Sequence, residues 1–372
     1  MASPRHEIQQ VEIYKLFIPL RKPFVISLGT IRNAENIIVV IRTNQGFSGF
    51  GECSPYMSIN GESMDTCFIV GQYLAQVLKG KSPLDIEDCV KAMDKTIYAN
   101  TSIKSAFDIA LHDIAAQVKG MPLYEWLGGK KDKILETDYT VSIGEPAQMA
   151  ADAVEICEHG YPVIKVKLGE SREKDVARIK AIRKAIGNKI PIRIDANQGW
   201  DIKTAIRTLQ DLKPFHIQYC EEPIPRTEFM QLKKVRKKSP IPIMADESCF
   251  DHLDAERLIR LKACDMFNIK LGKSSGLYKA RKLVKLAEKE KMNLQVGGFM
   301  ESKITMTANA HLALSSDRIR YCDFDTPLMF AEDPVSGGIQ YKENGVIEVP
   351  DTTGLGAWIE KEWLDRLEKT VI

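Results

Sequence analysis

Val163-Ile164-Lys165-Val166-Lys167, Ile192-Arg193-Ile194-Asp195, Ile217-Gln218-Tyr219-Cys220-Glu221, Ile243-Met244-Ala245-Asp246 and Phe267-Asn268-Ile269-Lys270 are five short, mostly apolar runs, each ending on a lysine or an acid. The final residues, Lys167, Asp195, Glu221, Asp246 and Lys270, lie 28, 26, 25 and 24 positions apart. That interval is about one strand, one helix and two short loops. A charge at the end of a buried strand is costly unless something there uses it. Five such ends in phase predict one shared site at the mouth of a barrel.

The same rhythm continues on both sides. Tyr139-Thr140-Val141-Ser142-Ile143 reads as a strand before the series, and Leu294-Gln295-Val296-Gly297 and Ile319-Arg320-Tyr321-Cys322-Asp323 as strands after it. Helical patterns such as Lys174 to Ile186 and Leu277 to Lys291 separate them. Eight strands alternating with helices predict an α/β fold with a parallel barrel, whose active site lies at the C-terminal strand ends. Upstream, the β-branched run Ile37-Ile38-Val39-Val40-Ile41 leads to a turn at Thr43-Asn44-Gln45-Gly46. Helical patterns fill about 63 to 118; in the clearest, Ala106, Ile109, Ala110, Ile114 and Val118 share a face, and Gly120 and Pro122 stop it. The expected organisation is an α+β unit over 1–125, a barrel over 126–335, and a tail over 336–372 that is too short to fold alone and returns to the first unit.

Composition excludes several classes. Apolar residues are 44% and charged residues 27%, close to globular averages, so disorder is not indicated. Net charge is +2 with scattered basic residues. The densest run, Lys233-Lys234-Val235-Arg236-Lys237-Lys238, precedes a buried-strand pattern and reads as a solvated helix end rather than a nucleic-acid site. No apolar run reaches the roughly 18 residues of a membrane span. Eight cysteines without CxxC pairs, and a polar start (Met1-Ala2-Ser3-Pro4-Arg5-His6), point to the reducing cytoplasm. A homo-oligomer is expected.

Asp195, Glu221 and Asp246 end three consecutive strands. Three converging carboxylates repel one another unless a cation neutralises them. Oxygen-only ligands suit Mg²⁺, and no histidine at a strand end suggests zinc. Lys167 and Lys270 flank the acids. They could bind a substrate anion, form a Schiff base or move a proton; opposed lysines beside a metal favour proton removal next to a carboxylate. A lysine base needs its pKa brought down from about 10.4 to roughly 7–8, which a cation, Lys165 and desolvation would promote. Asp323 and Asp325 alternate to one side and read either as a capped strand end or as a receptor for a substrate ammonium. Gly272-Lys273-Ser274 imitates a phosphate-loop ending, but position 267 is Phe where that loop needs glycine, and the triplet is set aside. His112, within a helical pattern, reads as structural.

With these residues in place, the chain resembles the enolase superfamily, its muconate-lactonizing subgroup, and within that the dipeptide epimerases. The resemblance runs over essentially the whole chain and rests on Ala106 to Gly129, Lys165-Val166-Lys167, Asp195-Ala196-Asn197-Gln198-Gly199-Trp200, Glu221-Glu222-Pro223, Asp246-Glu247-Ser248 and Asn268-Ile269-Lys270-Leu271. It implies a capping domain over a (β/α)7β barrel resembling the TIM barrel, with Mg²⁺ on Asp195, Glu221 and Asp246. It implies Lys167 and Lys270 as the acid/base pair acting through an enediolate, Lys165 at the substrate carboxylate, and Asp323 and Asp325 on the dipeptide ammonium. The histidine of the mandelate-racemase branch is missing, since the seventh strand ends Gly297-Gly298-Phe299-Met300-Glu301. The arginine that Ala-Glu epimerases place in the first cap loop is also missing; Gly29 stands there. A pocket lined by Ile26, Met57, Ile59 and Phe299 would reject a carboxylate side chain, which predicts a small or apolar second residue, as in Ala-Ala or Ala-Val. An Ala-Glu epimerase, the subgroup's succinylbenzoate synthase and cycloisomerase reactions, a Schiff-base aldolase and a non-catalytic binding barrel are the alternatives.

Overall fold

The computed structural model describes residues 6–372, so the polar start read at Met1 to Arg5 lies outside the described residues. Two long strands, Ile8–Ile26 and Gly29–Thr43, form a hairpin extended by Ser48–Cys53, and the last strand, Lys369–Val371, pairs antiparallel with the first. The tail thus returns to this sheet. On the way, its segments Gln340–Tyr341 and Val346–Glu348 pair with each other, and Val346–Glu348 pairs with Leu135–Glu136 before the first barrel strand.

The helices Met64–Leu78, Ile86–Thr96 and Thr101–Lys119 cover one face of the sheet. Ile37, Val39 and Ile41 pack with them, while Ile38 and Val40 pack into the barrel's core. Burial on both faces is why this strand is continuously β-branched rather than alternating. A Cβ at Gly51 would lie 1.8 Å from the carbonyl oxygen of Ala106, so only glycine admits the helix this close. Gly120 ends the helix at φ 68°.

Eight parallel strands follow: Tyr139–Val141, Ile164–Lys167, Ile192–Asp195, Ile217–Glu221, Ile243–Ala245, Met266–Lys270, Asn293–Gly297 and Ile319–Cys322. They hydrogen-bond in sequence order, and a parallel bridge between Thr137 and Cys322 brings the two edges together. Long helices connect successive strands, from Pro146–Glu158 to Lys303–Ala313, and a 3-10 turn follows the eighth, giving the (β/α)7β order. Asp246 and Asp323 lie just beyond their strands rather than within them. The basic run closes the helix Phe229–Lys238 with its lysines exposed and Val235 buried, and His112 is buried with Nδ1 against the Asp108 carbonyl. All eight cysteines are free, and among the described residues no helix is long and apolar enough to cross a membrane.

Candidate active site at the strand ends

Parallel register places the charged ends together: Lys167 pairs with Asp195, and Asp195 with Glu221. Lys167 and Lys270 end the second and sixth of eight strands, which puts them on opposite sides of the ring. Lys167 Nζ is 2.7 Å from Asp195 Oδ2, and Lys270 Nζ is 2.7 Å from Asp246 Oδ2. Lys165, fully buried, reaches Glu221 Oε2 at 2.8 Å and Asp323 Oδ2 at 2.7 Å.

The electrostatics follow from burial and these pairs. Burial raises Glu221 above the usual carboxylate range, and Asp195 and Asp246 add to that against the pull of Lys165. Burial would also raise Asp246, but Lys270 and Lys273 outweigh it and hold it well below that range. Burial would depress Lys270, yet Asp246, Glu221 and Glu247 hold it above the ordinary lysine value. At the eighth strand, Lys165 and Lys167 overcome burial to bring Asp323 to about 2. Burial and the charge on Asp323 push Asp325 up to about 7.

Among the described residues, no three acidic, histidine or cysteine side chains form a ready-made metal cage. The donor set nevertheless suits a hard cation. Asn197 Oδ1, Asn268 Oδ1 and Glu247 Oε2 lie buried beside the three carboxylates with no hydrogen-bond partner. Buried oxygens lacking donors, together with carboxylates that repel one another, describe a place where a magnesium-sized ion fits.

Above the ring is a cavity of about 50 Å³. Phe24, Ile26, Ile31, Tyr56 and Ile59 line it from the capping unit, facing Lys167, Lys270, Phe299, Asp323 and Asp325. Asp325 is outside the strand, at the start of a 3-10 turn, with Oδ2 accepting from the Thr140 amide at 2.7 Å. Met57 corrects the expectation: it is 76% exposed and does not line the cavity. The Tyr56 carbonyl accepts from the Ile59 and Asn60 amides, so the chain turns here and Tyr56 and Ile59, three apart, share the inner face. Gly29, next to the hairpin turn, has φ 138°, which L side chains rarely adopt.

Sequence reading missed Lys273, Asn268, Asn197 and Tyr56. Lys273, set aside as a false phosphate motif, is 1% exposed and bonded to Asp246. The available signal was its position three residues after Lys270, where a helical turn brings both lysines to one carboxylate.

A fold of this order with acids and lysines at the strand ends defines a family. The model of the mandelate racemase / muconate lactonizing enzyme N-terminal domain matches residues 8–128, and the enolase C-terminal domain-like model matches 148–363. The chain belongs to the mandelate racemase/muconate lactonizing family of the enolase superfamily. It is 58% identical over 365 residues to the D-Ala-D/L-Ala epimerase of Cytophaga hutchinsonii, covering 98% of this chain and 99% of that one. It is 39% identical over 355 residues to the L-Ala-D/L-Glu epimerase of Bacillus subtilis, covering 94% and 96%. The crystal structure of the dipeptide epimerase from Cytophaga hutchinsonii complexed with Mg and D-Ala-L-Val superimposes with TM-score 0.98 at 58% identity, covering 98% of this chain and 100% of that one.

Proposed function

We propose that the protein is a Mg²⁺-dependent dipeptide epimerase, an isomerase that inverts the α-carbon of the C-terminal residue of Ala-Xaa dipeptides with small or apolar Xaa. The observation that carries this is the pair of lysines, Lys167 and Lys270, on opposite sides of a ring holding three carboxylates between them. Asp195, Glu221 and Asp246 would hold the ion. When bound, Mg²⁺ supplies positive charge beside the substrate carboxylate, where negative charge develops as the α-proton leaves.

The chain's own residues do the rest. One lysine takes the α-proton on its Nζ, and the opposite lysine delivers a proton to the other face. Neutralising Asp246 and Glu221 would remove two of the three charges that hold Lys270 high, so that burial works toward a usable base. Lys165 donates to the substrate carboxylate. Asp323 and Asp325 face the cavity and receive the dipeptide ammonium. The cap wall is apolar around Ile26, Ile31 and Ile59, and a carboxylate side chain buried there unpaired costs several kcal/mol.

The cavity is smaller than the roughly 300 Å³ or more of sites that bury a ligand. An adjoining cleft of about 490 Å³ shares Phe24 and Thr140 with the cavity and offers a route into it. Eight free thiols support a reducing cytoplasmic setting.

Incubating a panel of dipeptides in D₂O with Mg²⁺ tests the reading. Ala-Ala and Ala-Val should gain an α-deuteron in the second residue faster than Ala-Glu. Absence of exchange in every dipeptide would refute the epimerase assignment, and a strong preference for Ala-Glu would refute the side-chain argument.

A further inference from the structure

Each of the three strand-end carboxylates has one oxygen held by a donor that takes no part in proton transfer. Asp195 Oδ1 accepts from the Asn197 amide at 2.8 Å, while Oδ2 faces Lys167. Glu221 Oε1 accepts from Asn268 Nδ2 at 2.7 Å, while Oε2 faces Lys165 and accepts from Gln295 Nε2 at 3.3 Å. Asp246 Oδ1 accepts from Lys273, while Oδ2 faces Lys270. Asp195 and Asp246 thus each keep one oxygen against a lysine that lines the cavity, whereas both oxygens of Glu221 are held by neighbours.

The two lysines on Asp246 are not equivalent. Lys270 lines the cavity and lies 4.9 Å from the centre of the Phe299 ring, so it can turn away from Oδ2 toward a substrate. Lys273 sits in the short helix Leu271–Ser274 and is also bonded to the carbonyls of Asp246, Cys249 (3.1 Å) and Asn268 (3.0 Å). These three carbonyls hold the buried ammonium independently of the Asp246 carboxylate, so Lys273 has far more than Oδ1 to keep it where it is.

We infer that Lys273 is a positioning residue that sets metal selectivity: by occupying Oδ1 it limits Asp246 to one-oxygen ligation and favours Mg²⁺ over Ca²⁺. The inference rests on the Mg²⁺ reading above. Calcium takes about six to eight oxygens and reaches the higher numbers by using some carboxylates in two-oxygen mode, whereas magnesium takes about six at short range and is satisfied by single oxygens. Tying one oxygen of each carboxylate withdraws the extra ligands that calcium would use.

Isothermal titration with MgCl₂ and with CaCl₂, without dipeptide, tests it on the wild-type protein and on Lys273→Met and Lys273→Arg. The wild type should prefer Mg²⁺ by about tenfold or more. Lys273→Met, which frees Oδ1, should shrink that preference by about tenfold even if both ions bind more tightly to the unneutralised carboxylate. Lys273→Arg, which keeps the charge and donors, should retain it. Equal binding of the two ions by the wild type overturns the inference even if the Met variant does not fold. So does an unchanged preference in a folded Met variant, which would leave Lys273 a purely structural role. Failure of both ions to bind the wild type would instead remove the magnesium reading, and this inference with it.

Discussion

The strand-end ring and the capping loops meet across one small cavity but are built on different principles. In the ring, position follows from register: once Lys167 pairs with Asp195 and Asp195 with Glu221, the side chains have little freedom over where they point. In the cap, facing is decided by turns. Between Tyr56 and Gly61 a helical turn puts Ile59 inside and Met57 outside, although both are large apolar residues two apart. On the function proposed above, the chemistry would be carried by elements with a fixed period, and the choice of substrate by segments without one. Substitutions should divide accordingly, with the ring intolerant and the loops graded.

The largest effect should come from the ring. Lys167→Ala or Lys270→Ala should lower epimerisation by about 10²–10⁴-fold or more, the range of a lost general acid or base. Each variant should retain solvent exchange from only one diastereomer, and from a different one in each, because one face keeps its base. Chiral chromatography together with deuterium incorporation reads both. Comparable exchange from both diastereomers in either variant would break the two-sided arrangement, and with it the contrast between ring and cap.

An intermediate effect belongs to the eighth-strand acids, which stand between the two regions. Asp325 is pushed up to about 7 by burial and then by Asp323, so below that pH it is neutral, and the charge on Asp323 is taken by Lys165. Raising the pH through about 7 ionises Asp325 and should strengthen capture of the dipeptide ammonium. Above about 8 the substrate amine itself loses its proton. KM should therefore fall by up to about tenfold from about pH 6 to a minimum between about 7 and 8, then rise. Asp325→Asn should remove the fall and leave the rise. A profile identical to wild type would show that Asp325 does not meet the amine.

How much was legible in the sequence follows the same division. The eight barrel strands could be read because each is a short apolar run at a near-constant interval, and the ring residues because charge at such a strand end demands a use. Lys273 was missed because its surroundings spell a different motif, and only folding shows that the turn after Lys270 carries it to the other oxygen of Asp246. The lowered lysine is expected from a cation, Lys165 and desolvation together; how strongly Asp246, Glu221 and Glu247 pull against burial at Lys270 depends on distances that have no sequence signature. Gly29 shows the reverse case. Its chemical meaning, a missing arginine, could be read, but not that φ 138° penalises any side chain there.

The smallest effect sharpens the comparison most. If the cap selects substrate only through the inner face of its turns, Met57 is a bystander despite lying beside Tyr56 and two residues from Ile59. Its side chain is 76% exposed and borders no part of the cavity. Met57→Ala should leave kcat/KM for Ala-Val within about twofold and stability within about 0.5 kcal/mol, as for surface positions generally. Ile59→Ala, 4% exposed and lining the cavity, should cost about 2 kcal/mol or more of stability and shift preference toward bulkier second residues. The paired measurement is kcat/KM across Ala-Ala, Ala-Val and Ala-Leu, with thermal unfolding of each variant. A change in selectivity at Met57 comparable to that at Ile59 would mean the loop turns over when substrate enters, and facing in the closed structure would no longer identify the residues that select.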